Sequence, residues 1–507
     1  LDVIDRSFIR NWHNHKARAL KATVLRQMNK TEEALQLIED SLALDKFNFG
    51  CRYEKYLLTG NADDLAILKT MMRGEAHNYD EIALDYCAAG CWEEAASLWN
   101  VAISEGIVTP MTYYYLGWCL VQGNLAGAEQ AFIDASTTCS DYCFPNRLEA
   151  ILALQCAMEQ NPKDAKAPYY LGNLYYDKRQ YDLAMEAWET SAELDDKFPT
   201  VWRNLALAYF NKKDEEVKAI ECMERAFLLD VTDARVLMEL DQLYKRVHRS
   251  HVERLAFLQK YPELIAQRDD LILEEITLLN QIGEYEKAKT LLDEHIFHPW
   301  EGGEGKVPAQ YQFARVELAK KALVAGNNEE AIALLEECLE YPHHLGEGKL
   351  YGAQENDFYY FMGCAYEALD NKAKAVECWE QATFGPTEPA AAMYYNDAKP
   401  DKIFYQGLAL LKLGRMDEAN GRFHKLTSYG EKHLFDKIKM DYFAVSLPDL
   451  LIWEDDLTVR NIIHCKYMMA LGYWGLDQKE KSVRLLAEVE RLDINHQGIQ
   501  ALRSLIG

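Results

Sequence analysis

Two short glycine-rich runs place a glutamate and a lysine at matching offsets from a proline. Gly-Glu-Gly-Lys starts four residues after Pro299 and again four residues after Pro342, which places Glu304 and Glu347 between glycines. The glycines free the backbone for positive φ, so each carboxylate can be presented at a tight bend with its lysine, Lys306 or Lys349, nearby. Such loops are suited to present charged side chains to a binding partner. They also suit the two carboxylates, roughly 5 to 10 Å apart, that glycosidases use.

The same two runs have a structural interpretation. The glycines then serve compact loops, and the two glutamates cap or bridge to the helix that follows. The residue types alone do not separate this interpretation from the functional ones.

A third segment carries different chemistry after Pro386. It brings together two aromatic rings, an amide and a carboxylate, in Tyr394, Tyr395, Asn396 and Asp397. This combination suits stacking on a sugar or on the edge of a peptide. In the alternative, both tyrosines pack on the protein and the Asn-Asp pair caps the next helix.

Motifs for other chemistry are missing from the sequence. It has no glycine-rich phosphate loop after a strand, no nucleophile elbow, no HExxH and no paired CxxC. His295 and His298 could meet His343 or His344 at a metal, but packing roles are the simpler interpretation. We therefore predict no catalytic residue, no metal and no cofactor for this region.

Charge and cysteine content restrict the partners and the compartment. Lys and Arg total 55 against 81 Asp and Glu, and this formal charge of −26 repels nucleic acid and anionic lipid. No stretch approaches the roughly 18 apolar residues of a membrane helix. The 12 cysteines are scattered through helical patterns, as free thiols are in a reducing compartment, so a cytoplasmic location is predicted. Because the chain begins at Leu1 without methionine, we expect it to be a piece of a longer protein.

A repeat of 34 residues organises the chain that must position these groups. The segment from Ala165 has Leu-Gly at 171–172, Trp188 and small residues at a spacing that the segment from Pro199 largely repeats. This pattern resembles the tetratricopeptide (TPR) family, in which each unit is a pair of antiparallel helices. The resemblance implies an all-α solenoid, a right-handed superhelix of stacked pairs. By the same template, eleven units start near His15, Ala76, Pro110, Ala165, Pro199, Ala234, Asp269, Gln312, Asn356, Pro400 and Ile463.

The repeat spacing also predicts where the loops lie. The units from Asp269 to Pro400 are 43 or 44 residues apart, so three successive connections carry about ten extra residues. We predict that these three insertions lie along one edge of the solenoid. The predicted organisation is 1–75, TPR-like and degenerate helix pairs; 76–268, a regular array; 269–430, units with insertions; and 431–507, extra helices, a last unit and a capping helix.

The TPR resemblance also implies a concave groove lined by positions 2, 5, 6, 9, 12 and 13 of each first helix. Asn173, Asn204 and Arg235 match three places of the clamp by which some members grip a terminal carboxylate, and Arg203 holds a further groove position. Tyr169 and Glu239 depart from that clamp. Asparagines at these positions also serve as ordinary hydrogen-bonding groups of the groove.

A longer resemblance covers most of the chain. HPWEGGEGKVPAQY, YYNDAKPDKIFYQG and DYFAVSLPDLL resemble the C-terminal repeat region of large bacterial proteins with an N-terminal β-rich domain of unknown function. This resemblance implies a helper region in a sugar-related protein. We therefore predict a non-enzymatic scaffold that binds a partner protein or its own N-terminal domain. The alternative is an accessory carbohydrate-binding or catalytic surface.

Overall fold

The described chain is built from helices alone. The computed structural model describes residues 1–391, 399–438 and 452–506, and within these ranges it has 28 α-helices and no strand. The predicted all-α solenoid of TPR-like helix pairs is confirmed.

The chain divides into two compact units, Leu1–Ala208 and Tyr209–Gly507. Helix α13 contains the boundary. Unit 1 contains α1 (Asp2–Arg10), α2 (His15–Gln27), α3 (Thr31–Leu44), α4 (Phe49–Thr59), α5 (Ala62–Met72), α6 (Ala76–Ala88), α7 (Trp92–Ser104), α8 (Pro110–Gln122), α9 (Ala128–Thr137), α10 (Glu149–Gln160), α11 (Lys166–Asp177), α12 (Tyr181–Leu194) and the start of α13 (Pro199–Lys213).

Unit 2 continues with α14 (Glu216–Leu229), α15 (Ala234–Arg246), α16 (His251–Leu258), α17 (Pro262–Ile265), α18 (Asp269–Gln281), α19 (Tyr285–Glu294), α20 (Lys306–Ala325), α21 (Asn328–Glu337), α22 (Asn356–Ala368), α23 (Lys372–Ala382), α24 (Pro400–Lys412), α25 (Met416–His433), α26 (Leu457–Gly475), α27 (Lys479–Leu492) and α28 (Gln497–Ile506).

Close contact between the two helices of a pair explains the repeat pattern. A Cβ added to Gly172 would lie 2.4 Å from the Trp188 ring, and one added to Gly363 would lie 2.3 Å from Trp379. Only glycine at the eighth position of these pairs lets the helix backbone approach the aromatic ring at the twenty-fourth. The large ring then fills the space between the two helices.

Most of the predicted unit starts coincide with helix starts, including those at His15, Ala76, Pro110 and Pro400. The degenerate pair predicted for 47–73 is also a helix pair, α4 and α5. Two first helices are longer than predicted. Helix α20 begins at Lys306 because Gly305, with φ +73°, ends the loop there, and α26 begins at Leu457 because Asp456 caps it.

The predicted capping helix at the C-terminus is a helix, α28, but its place differs from the prediction. Its polar side contacts α18 at the Asn280 carbonyl and α20 at the Lys320 side chain, instead of only closing the stack. The extra helix pair predicted for 441–456 falls largely on 439–451, outside the described residues.

Two further observations concern the cysteines and the length of the apolar helices. All twelve cysteines are free. Among the described helices, none is both long enough and apolar enough to cross a membrane.

Candidate functional site

The first two insertions of unit 2 contact each other. Loop 1 (residues 295–305) joins α19 to α20, and loop 2 (residues 338–355) joins α21 to α22. The backbone N–H of Phe297 donates to the carbonyl of His344 at 2.8 Å. Gly346 has φ +76°, and a Cβ there would lie 2.6 Å from the Phe297 carbonyl oxygen, so glycine is required for this approach. The two loops therefore form one structure on unit 2, which we call the loop edge.

The loop edge encloses a cavity of about 290 Å³. It is lined by His298, Pro299, Trp300, Glu301, Gly303, Glu304, Val307, Leu345 and Glu347. The structure thus brings together the two glutamates that the repeated motif singles out. Gly303 lets the Trp300 ring lie flat against the loop, because a Cβ there would be 2.3 Å from the indole.

Glu347 is the better anchored of the two carboxylates. It is half-buried, and its Oε2 accepts a hydrogen bond from the backbone N–H of Gly305 at 2.8 Å. Burial raises the pKa of Glu347, the Gly305 N–H acts against that shift, and the nearby Glu304 carboxylate adds to it. Glu304 itself is exposed. The cavity therefore presents two carboxylates in different environments.

The two lysines of the motif are not among the cavity-lining residues of the described chain. The Lys349 ammonium donates to the Leu339 carbonyl at 2.7 Å and forms an ion pair with Glu355. Lys306 is the exposed first residue of α20. Lys349 thus serves loop 2 itself.

The histidines near the loops bind a carboxylate. His295 Nε2 lies 2.7 Å from Asp269 Oδ1, and the backbone N–H of His298 donates to Asp269 Oδ2 at 2.7 Å. Among the described residues, no group of three or more His, Cys, Asp or Glu side chains has a metal-binding arrangement.

The predicted aromatic and polar group of the third insertion lies outside the described residues. It consists of Tyr394, Tyr395, Asn396 and Asp397. Its binding role stays a prediction.

In unit 1, the predicted groove asparagines bind each other. Asn204 Nδ2 donates to Asn173 Oδ1 at 3.0 Å, and the Trp188 indole N–H donates to the same oxygen at 3.0 Å. Arg203 donates to Asn204 Oδ1 at 3.4 Å. Asn173, Arg203 and Asn204 all remain partly exposed. They form a polar surface on the first helices α11 and α13.

Arg235 lies in unit 2, on α15, and is more than half exposed, with its Nε 3.7 Å from Glu239. The repeat spacing predicts Arg235 in one row with the two asparagines. In the structure Arg235 belongs to unit 2 and the asparagines to unit 1.

The groove positions of unit 2 contact distant parts of the same chain. The Asn211 side chain donates to the Ile452 carbonyl at 2.9 Å and accepts from the Glu454 N–H at 2.8 Å. Between them, the Trp453 indole donates to the Glu239 carbonyl at 2.8 Å, and the ring is 2% exposed. These hydrogen bonds hold residues 452–454 against the first helices α13 and α15.

The C-terminal residues contact the next part of this groove. Asn495 and the helix α28 reach side chains of α16, α18 and α20 over sequence distances of more than 180 residues. Sequence reasoning missed both internal contacts. One signal was available: Glu239, Glu274 and Glu317 all hold position 6 of consecutive first helices, and buried carboxylates need partners.

Comparisons with known proteins agree with this architecture. Residues 172–213 match the family described as TPR repeat, and residues 357–383 match the family described as tetratricopeptide repeat. A TPR protein from Parabacteroides merdae is 15% identical, covering 59% of this chain and 98% of its own, with a TM-score of 0.27. MamA from Desulfovibrio magneticus is 21% identical over 38% of this chain and 97% of its own, with a TM-score of 0.23.

A third solved structure is YrrB, described as a TPR protein with an unusual peptide-binding site. It is 18% identical and covers 46% of this chain and 95% of its own, with a TM-score of 0.19. The helix pairs and the two family matches together show an all-α solenoid that contains tetratricopeptide repeats, at residues 172–213 and 357–383.

Proposed function

We propose that this protein is a non-enzymatic interaction scaffold that holds a partner protein at its loop edge and in the groove of unit 1. The observation that carries the proposal is the loop edge. Two insertions from consecutive repeats hydrogen-bond to each other and hold two carboxylates at one cavity. Loops on a rigid helical framework are where proteins place binding groups.

The size of the cavity favours a partner side chain over a large ligand. Pockets for drug-sized molecules occupy roughly 300 to 1,000 Å³, and this cavity, at about 290 Å³, is just below that range. One basic or amide side chain of a partner would fit beside Glu304 and Glu347. The longer sequence resemblance implies an N-terminal β-rich domain in the same protein, and such a domain is one candidate partner.

The groove of unit 1 offers a second contact surface. Asn173, Arg203 and Asn204 keep part of their polar surface exposed, whereas several groove positions of unit 2 are covered by the chain itself. A partner that contacts the solenoid through its groove therefore finds available amides in unit 1.

A photo-crosslinking experiment tests the scaffold directly. A photoreactive residue is placed at Glu301 in the cavity, at Arg203 in the groove, and at the exposed Val217 as a control. We expect one and the same partner protein to crosslink from the first two positions and not from Val217. Equal crosslinking from all three positions would contradict the proposal.

A second candidate function is an accessory carbohydrate-binding or catalytic surface. One observation favours it: the Trp300 ring lines the same cavity as an exposed and a half-buried carboxylate, and burial raises the pKa of the second. An aromatic ring suits stacking on a sugar, and two carboxylates in different environments suit acid and base roles.

The double substitution of Glu304 and Glu347 by Gln separates the two functions. A scaffold keeps its fold and loses partner affinity, whereas an enzyme loses glycoside hydrolysis and keeps its partner. The matched control is the double substitution of Glu329 and Glu336 by Gln, two exposed glutamates of the same repeat outside the cavity. Hydrolysis by the unmodified chain that only the first variant loses would favour the second candidate.

A further inference from the structure

The C-terminal helix α28 has two faces, and both are in contact with unit 2. Its apolar residues Ile499 and Leu502 are 4% and 3% exposed and belong to the hydrophobic cluster that includes Tyr467 of α26. Its polar residues Gln497, Gln500 and Ser504 hydrogen-bond to the first helices α18 and α20; Gln497 and Gln500 are partly buried and Ser504 is exposed. A helix that only closes a stack needs a polar outer face in water. The two amides of this helix are instead bound by the helices beneath it.

The amide contacts are reciprocal. Gln310 Nε2 donates to Gln497 Oε1 and Gln497 Nε2 donates to Gln310 Oε1, each at 2.9 Å. Asn280 supports the pair by donating to Gln310 Oε1 at 2.9 Å. Because an amide has two donors and two acceptors, only another amide in this orientation satisfies both sides.

One turn further along α28, Gln500 and Ser504 are bound in the same way. Gln500 Nε2 donates to the Asn280 carbonyl at 2.9 Å and to the Tyr285 hydroxyl at 2.7 Å. Lys320 donates to the Ser504 hydroxyl at 2.6 Å, and that hydroxyl lies 2.9 Å from Glu317 Oε2. Glu317 and Lys320 are both buried, and Ser504, which is exposed, covers them from the solvent side.

Asn495, two residues before the helix, is also bound by side chains of α16 and α18. Asn495 Oδ1 accepts from the Arg254 guanidinium at 3.2 Å, and the Asn495 carbonyl accepts from Gln281 Nε2 at 2.7 Å. Arg254 is fully buried. Four polar residues of the C-terminal segment, at offsets 0, 2, 5 and 9, therefore each meet a dedicated partner.

These polar contacts select the sequence of the helix that binds here more than they stabilise the fold. Buried charged groups are often no more favourable for folding than apolar side chains of the same volume. Groups built to hydrogen-bond a particular side chain reject a helix that lacks it, because they are then left buried and unpaired.

We infer that this groove of unit 2 recognises an amphipathic helix of a partner protein with the pattern Asn-x-Gln-x-x-Gln-x-x-x-Ser, and that α28 occupies the site in cis. The partner helix enters when α28 leaves. Since α28 is tethered, it competes at an effective concentration on the order of millimolar, so the site opens only to a partner that also binds elsewhere. The inference does not depend on the loop edge or on unit 1.

The test uses the full chain and a fluorescent peptide of residues 493–507 as the probe. In one variant, Gln497, Gln500 and Ser504 of the chain are changed to Ala, which weakens the resident helix and leaves the groove intact. We expect fluorescence anisotropy to show at least about tenfold tighter peptide binding to this variant than to the unmodified chain. Adding Lys320→Ala to the variant, or the same three Ala changes to the peptide, should remove about tenfold of that affinity.

Equal peptide affinity for the variant and the unmodified chain would overturn the inference. An affinity that stays the same after Lys320→Ala, or after the three Ala changes in the peptide, would also overturn it. If circular dichroism shows that the variant does not fold, hydrogen exchange on the unmodified chain replaces it. An excess of isotopically heavy peptide should then speed exchange in α28 and leave α27 unchanged. No change in α28 exchange would overturn the inference.

Discussion

The grooves of the two units differ at equivalent positions. In unit 2, position 6 of three consecutive first helices is a buried glutamate: Glu239, Glu274 and Glu317. In unit 1, that position holds an exposed glutamate in α6, Glu81, and a partly exposed asparagine in α13, Asn204. The repeat is the same in both units, but in unit 2 the chain covers its own groove residues. The same position is thus a buried carboxylate in three helices of unit 2, whereas Glu81 and Asn204 of unit 1 keep part of their surface exposed.

Buried carboxylates show the electrostatic side of this difference. In unit 2, burial acts to raise the pKa of Glu274, but Lys245 and Arg254 outweigh it and hold the pKa at about 2. In unit 1, burial raises the pKa of Asp80 to about 6, although the Trp99 indole donates to this carboxylate at 2.9 Å. A hydrogen bond from a neutral ring does not replace an opposite charge.

The largest expected effect is in the unit 2 groove, from Arg254→Ala. Arg254 donates to Asp241 and to Glu274, each at 2.6 Å, and its loss leaves the buried Asp241 carboxylate without its cation and Glu274 with Lys245 alone. We expect a loss of about 3 to 5 kcal/mol in the free energy of unfolding, measured with urea at pH 7. The control Arg415→Ala removes an exposed ion pair with Glu418, which water screens, and should cost far less. Similar losses for both variants would show that the network is not buried.

In unit 1, Asp80→Asn should stabilise the protein, and only at neutral pH. The pKa of Asp80 in the folded chain, about 6, lies above the ordinary 3.8, so the folded chain binds this proton more tightly than the unfolded chain does. The contribution of Asp80 is therefore most favourable below pH 3.8 and is lost as the pH rises through 6. We expect a gain of about 3 kcal/mol for the variant at pH 7.5 and almost none at pH 4.

Urea unfolding across this pH range measures the gain. Asp141→Asn, a change at an exposed position of the same unit, supplies the control and should show no such pH dependence. A gain for Asp80→Asn that is constant with pH would mean that the carboxylate is not desolvated.

A methyl group added between the two helices of a pair should destabilise both units to a similar extent. In Gly172→Ala and Gly363→Ala, the new methyl group would press on Trp188 and Trp379. We expect each to cost about 1 to 3 kcal/mol, because overpacking forces the ring from its place. Gly421→Ala has nothing within 4 Å and should instead gain about 0.5 to 1 kcal/mol from helix propensity. A marked difference between the losses for Gly172→Ala and Gly363→Ala would show that the helix pairs of the two units are not packed alike.

Much of the framework could be predicted from sequence because it is local and periodic. Glycine at position 8 with an aromatic ring at position 24 marks several pairs, so helix starts such as Asn356 and Pro400 could be placed to the residue. The loop edge was predictable in part, since the repeated Gly-Glu-Gly-Lys run and the even spacing put Glu304 and Glu347 on neighbouring connections. The hydrogen bond from Gly305 to Glu347 depends on the loop conformation, which the repeat does not encode.

The internal contacts of unit 2 could not be predicted, because they join residues far apart in sequence. Periodicity shows that Ile499 and Leu502 share a face of α28, but not that Gln497 meets Gln310. The bound Trp453 follows no repeat position at all. The four-part division of the chain and the partner-binding roles of the site residues stay predictions.

The pair of Gln310 and Gln497 tests most directly whether the chain fills its own groove in unit 2. A double-mutant cycle compares Gln310→Ala, Gln497→Ala and the double variant by urea unfolding at pH 7. Each single change leaves the other amide without its partner, so the two losses should not add, and we predict a coupling energy of about 0.5 to 3 kcal/mol. Losses that add to within about 0.3 kcal/mol would show that the two side chains do not meet, and would contradict the account.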